Sequence, residues 1–193
     1  PLLPDSLPEA EGAQPPTVYA REETPRAPQD HLFNDAIWPN LAKLPSAERP
    51  LLRYEVCSPG DTITIDHRNF YAVDVMHTVP TLGYTVQNSG GVFAVSGDTK
   101  TNETLWPVLN ACDDLRVLVI EVSFPDEMSQ LASDAGHYCP STLAKDLERL
   151  QHEPEIWLTG MKPGEEERIL EQVLSAAPNK KIQMLSRGTI LKV

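Results

Sequence analysis

Apolar positions between residues 52 and 95 fall in short runs that are typical of β-strands. The runs are rich in β-branched and aromatic residues, and turn-forming residues such as Pro59-Gly60 separate them. Short strands joined by tight turns at this spacing predict an antiparallel meander. The predicted strands cover residues 52–56, 62–65, 70–75, 84–87 and 92–95.

Beyond Asp98 the apolar pattern changes, and helical periods alternate with short apolar runs. The run 116–122 reads RVLVIEV and predicts a buried strand, and an acidic start at Glu165 suits the positive end of a helix. Alternating strands and helices predict a layered α/β sheet. We expect helices over 103–111, 141–151 and 164–176, and strands over 116–122, 156–159, 181–185 and 189–193.

The first 30 residues show no sustained period of either kind. Ten of the 18 prolines lie in the first 50 residues, and six acidic residues face two arginines before residue 31. We expect residues 1–30 to form an extended, Pro-rich, acidic arm and residues 31–193 to form the folded domain. The segment 31–41 repeats apolar residues near helical spacing until Pro39, which predicts a helix at the start of that domain.

Charge and composition exclude several classes of protein. Acidic residues outnumber basic ones 28 to 16, and this net charge of -12 argues against binding to a nucleic-acid backbone. No apolar run is long enough to span a bilayer, so no membrane partner is expected. The three cysteines are too few and too widely spaced for a disulfide framework, which favours a reducing, cytoplasmic location. A small anionic substrate stays compatible with this charge, because a bound metal can reverse the local field.

Two ionisable residues follow predicted strands, where binding sites are commonly built. His77 comes after the strand 70–75, and Asp98 follows the strand 92–95 in the turn Ser96-Gly97-Asp98-Thr99. A carboxylate on a tight glycine turn is a good metal ligand and an equally good turn former. His137 precedes a predicted helix and is compatible with a structural role. Ser123 and Cys139 lack a recognisable His-Asp pair that would make them nucleophiles.

Several segments occur in an order that resembles one family. The segments are HLFNDAIWPNL, HTVPTLGY, VFAVSGDT, EVSFPDE, LASDAGHYCPSTLAKDLERL and IWLTGMKPG. Together they resemble the class II cyclic-nucleotide phosphodiesterases, a branch of the metallo-β-lactamase superfamily related to tRNase Z. The resemblance runs from about residue 17 to about residue 181.

The resemblance implies an αβ/βα sandwich with a two-metal site, usually zinc, that hydrolyses cyclic nucleotides such as cAMP. His77 matches the family's single metal-binding His, and Asp98 matches the Asp that bridges the two metals. His137 matches a His that donates a proton to the leaving oxygen in tRNase Z-like relatives. In such a site two cations about 3.5–4 Å apart activate a hydroxide and neutralise the developing charge.

Two departures from the family pattern change what is expected of this chain. The HxHxDH cluster is absent, and Gly160 occupies the position of the last ligand, in Thr159-Gly160-Met161-Lys162-Pro163. The chain therefore supplies two of the family's seven metal-binding groups. We expect a sandwich that lacks part of its N-terminal half and that forms a homo-oligomer or associates with a missing N-terminal segment.

Three functional hypotheses follow. The first is a metal-dependent cyclic-nucleotide phosphodiesterase, with this chain alone inactive if the missing segment supplies the remaining ligands. The second is a non-catalytic scaffold or nucleotide-binding remnant, which the glycine at position 160 favours. The third is an RNA-processing phosphodiesterase of the tRNase Z type, which the charge of -12 disfavours.

Overall fold

The computed structural model describes residues 14–193, so residues 1–13 of the predicted arm lie outside the described residues. The chain divides into two compact units, one ending at Ser58 and the other beginning at Pro59. The described part of the predicted arm lies in the first unit and includes a strand and most of a helix. Each unit is described by itself below.

The first unit contains two small pairs of strands and a short helix. Its elements are β1 (Thr17–Ala20), α1 (Arg26–His31), β2 (Pro45–Ser46), β3 (Arg49–Pro50) and β4 (Arg53–Val56). Strand β4 pairs in parallel with β1, and β2 pairs with β3 in antiparallel orientation. The strand predicted over 52–56 therefore forms, but it pairs with β1 and does not join the meander.

The helix predicted over 31–41 is wrong, because the helix there, α1, ends at His31. The Asn34 side chain accepts hydrogen bonds from the backbone N–H groups of Ala36 and Ile37, at 3.1 and 3.2 Å. Asp35 adopts a left-handed conformation with φ of 67°, which a helix does not accommodate. Local side-chain-to-backbone bonds of this kind compete with helical ones, so the apolar spacing was outweighed by two polar residues.

The second unit is built on one seven-stranded mixed sheet, with the order β11-β10-β9-β8-β7-β6-β5. Strands β5 to β8 pair in antiparallel orientation, as the meander predicted, and β8 to β11 pair in parallel. The strands are β5 (Thr62–Ile65), β6 (Arg68–Val75), β7 (Thr81–Asn88), β8 (Gly91–Val95), β9 (Leu115–Glu121), β10 (Glu155–Thr159) and β11 (Ile182–Met184).

Four helices accompany this sheet. They are α2 (Leu105–Asn110), α3 (Ser129–Ala135), α4 (Pro140–Leu147) and α5 (Glu166–Ala176), and a 3-10 turn at Asp126–Met128 precedes α3. Helices were predicted near α2, α4 and α5, whereas α3 was missed. The strand predicted over 189–193 does not form. The Thr189 N–H donates to the Ser186 carbonyl in a turn, and the segment after it pairs with no described strand.

The core lies between one face of the sheet and α2, α4 and α5. Its largest buried side chains include Trp106 of α2 and Tyr138. Burying each large apolar side chain contributes about 1.5–3 kcal/mol, so this layer dominates the stability of the unit. The sheet contributes Val73, Val75, Val92, Ala94, Leu115, Leu118, Ile120, Ile156, Leu158 and Ile182.

The opposite face of the sheet is also apolar, and Phe70, Tyr84, Phe93 and Trp157 are only half-buried on it. Partly exposed apolar surface is typical of interfaces. Self-association stays a prediction, which light scattering of the purified chain would check. Among the described residues, no helix has the length and apolar content needed to cross a membrane.

Strand direction brings the carboxyl ends of five strands, β6 and β8 to β11, to the same edge of the sheet. These strands run in the same direction, because two antiparallel pairings separate β6 from β8 and parallel pairings join β8, β9, β10 and β11. Their carboxyl ends therefore lie side by side. This is the edge at which open α/β sheets commonly bind ligands.

Candidate functional site

Three potential metal ligands meet at this edge. His77 follows β6, Asp98 follows β8, and His137 lies between α3 and α4. One ligand atom from each lies within 4.8 Å of the other two. His77 and Asp98 therefore approach each other, as the resemblance to a shared metal site implies, while their roles as ligands, and that of His137 as a proton donor, stay predictions.

A backbone carbonyl holds the His77 ring. The His77 Nδ1 lies 2.9 Å from the carbonyl oxygen of Gly136. Because a carbonyl oxygen only accepts, Nδ1 carries the proton and donates it, and Nε2 keeps a free lone pair. Gly136 has φ of 78°, and a Cβ there would lie 2.8 Å from the His77 Nδ1. Only glycine allows this close approach, which fixes the ring by the kind of outer contact that metal-binding histidines use.

A tight turn presents Asp98. Gly97 has φ of 63°, and a Cβ there would lie 2.7 Å from the Leu82 carbonyl oxygen, so the turn requires glycine. The next residue, Thr99, is buried, and its hydroxyl donates to the carbonyl of Met76, the neighbour of His77. The turn that carries Asp98 and the loop that carries His77 are thereby joined. Asp98 itself is exposed at the open side of the cluster.

His137 is backed by a buried carboxylate that the sequence did not single out. The His137 Nδ1 lies 3.0 Å from Oε1 of Glu121, a residue only 1% exposed. The same oxygen accepts the N–H groups of Thr99 and Tyr138, at 3.0 and 3.3 Å. These bonds hold the carboxyl group in place, and Nε2 of His137 is the ring nitrogen left for other partners.

Burial controls the protonation of this pair. Desolvation raises the pKa of Glu121 to about 8, although hydrogen bonds from Thr99, Ser123 and Tyr138 oppose it. Desolvation also lowers the pKa of His137, against the attraction of Asp98. Burial therefore favours a neutral pair over an ion pair, and Glu121 keeps its proton at neutral pH in the metal-free protein.

Ser123 extends the contact between Glu121 and His137. Its hydroxyl lies 3.0 Å from Oε2 of Glu121 and 3.1 Å from the His137 Nδ1, and it also reaches the Gly160 carbonyl at 3.1 Å. Ser123 is 2% exposed, so it is a buried hydrogen-bonding group and not an accessible nucleophile. The signal for Glu121 was present in RVLVIEV, since a carboxylate at the end of a buried apolar strand requires polar partners.

The donor set fits a borderline divalent metal. Two imidazole nitrogens and one carboxylate oxygen suit zinc, and three protein ligands with an open position are typical of catalytic zinc sites. The described residues supply donors for one such ion, whereas a two-metal site needs about four donors for each metal. The arrangement is therefore able to bind one metal at the edge of the sheet.

Gly160 lies directly after β10, at the position where the family resemblance implies a histidine. It is exposed, has φ of 76°, and a Cβ there would lie 3.4 Å from the Glu121 Cβ and 3.6 Å from the Ser123 Oγ. These are ordinary contacts, so space is available beside the residues that back His137. The left-handed backbone is the obstacle to a larger residue.

We expect Gly160→His to lower the free energy of unfolding by about 1–2 kcal/mol, because a left-handed non-glycine residue is strained. The new imidazole stands beside the cluster, and we expect tighter zinc binding. Urea unfolding and zinc titration measure the two effects. Gly164→His is the matched control, since Gly164 has φ of 89° and no atom near its Cβ position. Equal zinc affinity in both variants would contradict this prediction.

Similarity to known proteins is found at the level of structure. No protein-family model matches the chain, and no curated protein matches it. Unliganded yeast PDE1 aligns with a TM-score of 0.73 at 20% identity, over 93% of this chain and 60% of PDE1. The metallo-β-lactamase fold protein YhfI from Bacillus subtilis gives 0.72 at 11% identity, over 95% and 68%. Zinc-bound PqqB from Methylobacterium extorquens gives 0.66 at 14%, over 93% and 66%.

These similarities show the fold. The chain has the metallo-β-lactamase fold, which confirms the predicted fold class. It spans about 60% of the length of yeast PDE1, with which it aligns over most of its own length.

Proposed function

We propose that this protein acts as a metal-dependent hydrolase that cleaves phosphodiester bonds. The substrates to test first are 3',5'-cyclic nucleotides such as cAMP. The observation that carries the proposal is the cluster of His77, Asp98 and His137, with His137 backed by Glu121. The motifs HTVPTLGY and SGDT and the fold shared with yeast PDE1 support it.

Zinc is the metal that we propose for this site, through His77 and Asp98. When bound, it activates a water molecule and neutralises charge that develops on phosphate oxygens. The chain's own contribution is to hold these ligands rigidly. The Gly136 carbonyl fixes the His77 ring, and the buried Thr99 hydroxyl joins the loops that carry the two ligands.

His137 is proposed as the proton donor to the leaving oxygen. Its Nε2 is the ring nitrogen that makes no bond to Glu121, and Nδ1 is tied to a carboxyl group that retains its proton at neutral pH. In the neutral pair, the Glu121 proton lies in the bond to Nδ1 and the ring proton lies on Nε2. Nε2 would then give its proton to the leaving oxygen while Nδ1 takes up the proton of Glu121. A positioned general acid of this kind contributes roughly 10²–10⁴-fold to a rate.

Hydrolysis by the purified chain with added zinc tests the proposal. The substrates are cAMP and, as a general phosphodiester, bis(p-nitrophenyl) phosphate. Zinc-dependent release of product that is lost in Asp98→Asn supports the proposal. The variant His137→Gln separates the two roles open to His137, because loss of activity with zinc retained indicates a proton donor, and loss of zinc indicates a third ligand.

We expect Glu121→Gln to reduce kcat by about tenfold to a hundredfold, because the amide cannot take the carboxyl group's place in proton exchange with His137. Zinc affinity should change little. Ser123→Ala is the control, since it removes a neighbour of both residues and leaves the carboxyl group in place. Wild-type kcat in Glu121→Gln would contradict the role given to Glu121.

The same residue predicts a pH dependence in the metal-free protein. Between about pH 4.5, the ordinary pKa of the carboxyl group, and about 8, the unfolded chain has released this proton and the folded chain has not. The unfolded state then binds fewer protons, so the free energy of unfolding falls as pH rises through this window. Urea unfolding of zinc-free protein should show a shallower fall for Glu121→Gln.

A non-catalytic scaffold is the second candidate, and the glycine at position 160 favours it. Glycine offers no ligand where the resemblance implies histidine. The Glu121 and Ser123 side chains nevertheless lie next to this position. Zinc binding without hydrolysis of any phosphodiester, by the wild type and by Gly160→His alike, would favour the scaffold.

A further inference from the structure

An exposed lysine, Lys162, lies near the cluster. Lys162 is exposed and follows the end of β10 by three residues, and its backbone N–H donates to the Ser123 carbonyl at 3.0 Å. This bond ties the lysine's backbone to the segment that carries Glu121 and Ser123. Its position is therefore set by the same strand ends that build the cluster.

An aromatic ring holds the ammonium group of this lysine. The Lys162 Nζ lies 4.9 Å from the centre of the Phe124 ring, which is a cation–π distance. The Phe124 ring centre lies 5.9 Å from that of His137. Phe124 is 8% exposed, so its ring is a fixed platform between the lysine and the cluster.

No carboxylate of the described residues forms an ion pair with Lys162. In a chain with a net charge of -12, an anionic ligand meets a repulsive field. A cation at the rim of the site offsets this repulsion where the ligand enters.

We propose that Lys162 is the anion-binding residue of this site, that it contacts a phosphate oxygen of the ligand, and that Phe124 holds its ammonium group in place. The inference rests on the proposed function, because it assigns the ligand a negatively charged phosphate group. It adds that recognition of this charge is carried by a side chain and not by metal alone.

Binding of inorganic phosphate, followed by calorimetry with and without zinc, tests the inference without an activity assay. We expect Lys162→Met to weaken phosphate binding about tenfold or more, as expected for loss of a charge-assisted hydrogen bond. Lys162→Arg should keep affinity within about threefold. Lys181→Met is the matched control, because Lys181 is an exposed lysine at the amino end of β11, on the opposite edge of the sheet.

The outcomes separate this inference from the proposed function. Three results would each overturn the role of Lys162. They are unchanged phosphate affinity in Lys162→Met, equal losses of affinity in Lys162→Met and Lys181→Met, and no phosphate binding by the wild type. A selective loss in Lys162→Met, restored by arginine, supports it. If that loss is seen while no phosphodiester is hydrolysed, the anion site stands and the proposed hydrolysis fails. In an active enzyme the same variant should raise KM more than it lowers kcat.

Discussion

Replacing Asp98 with asparagine is expected to reduce zinc affinity by about a hundredfold or more and to abolish any zinc-dependent hydrolysis. The amide removes the one negative charge of the ligand cluster while keeping the size of the side chain. Losing an outer contact to a ligand already costs about 10–100-fold in metal affinity, and losing a ligand costs more. Competition with a chromophoric chelator after dialysis measures the affinity.

The control for this experiment is Asp113→Asn. Asp113 is an exposed carboxylate just before β9, at the amino end of a strand whose carboxyl end faces the site. It has the same chemistry and lies at the opposite edge of the sheet. Elemental analysis of the dialysed wild type should give fewer than two zinc ions per chain. Wild-type zinc affinity in Asp98→Asn would show that the cluster does not bind the metal.

Gly136→Ala is expected to have the second-largest effect, by displacing the His77 ring. A Cβ at this position would lie 2.8 Å from the His77 Nδ1 and 2.9 Å from the Thr78 nitrogen, and both distances are too short for real contacts. The backbone must shift, and the 2.9 Å bond that orients the ring is then lost. We expect zinc affinity to fall about tenfold to a hundredfold.

Backbone strain alone does not produce this result. Gly164→Ala places an alanine at φ of 89°, close to the 78° of Gly136, with no atom near its Cβ. Both variants should therefore lose about 1–2 kcal/mol in the free energy of unfolding, as urea titration would show. Only Gly136→Ala should lose zinc. Equal zinc affinities would show that the Gly136 carbonyl does not orient His77.

The apolar pattern determined most of the second unit. Runs of alternating β-branched residues gave the meander β5 to β8, and RVLVIEV gave the buried strand β9, because hydrophobic periodicity is a local property of the chain. The prediction was wrong where polar side chains outweighed spacing, as at Asn34, and where a strand lacks a partner, as at 189–193. Pairing of β4 with β1 joins residues far apart in sequence, which local pattern does not encode.

The candidate site divides in the same way. Residue type and position after strands drew attention to His77 and Asp98, since strand ends are where polar groups of a sheet meet, whereas His137 was selected through the family resemblance. Glu121, Gly136 and Lys162 were not selected, because each acts through a neighbour that is distant in the chain or contacted only in the fold.

What the sequence determined by itself is therefore the chemical character of the site, through its two histidines and one aspartate. Only the tertiary structure decided how these side chains are oriented and how the carboxyl group behind His137 is protonated. Burial of Glu121 raises its pKa to about 8, and the Gly136 carbonyl sets the tautomer of His77. Both effects depend on desolvation and on distances of about 3 Å between groups as much as 59 residues apart, which arise only when the chain folds.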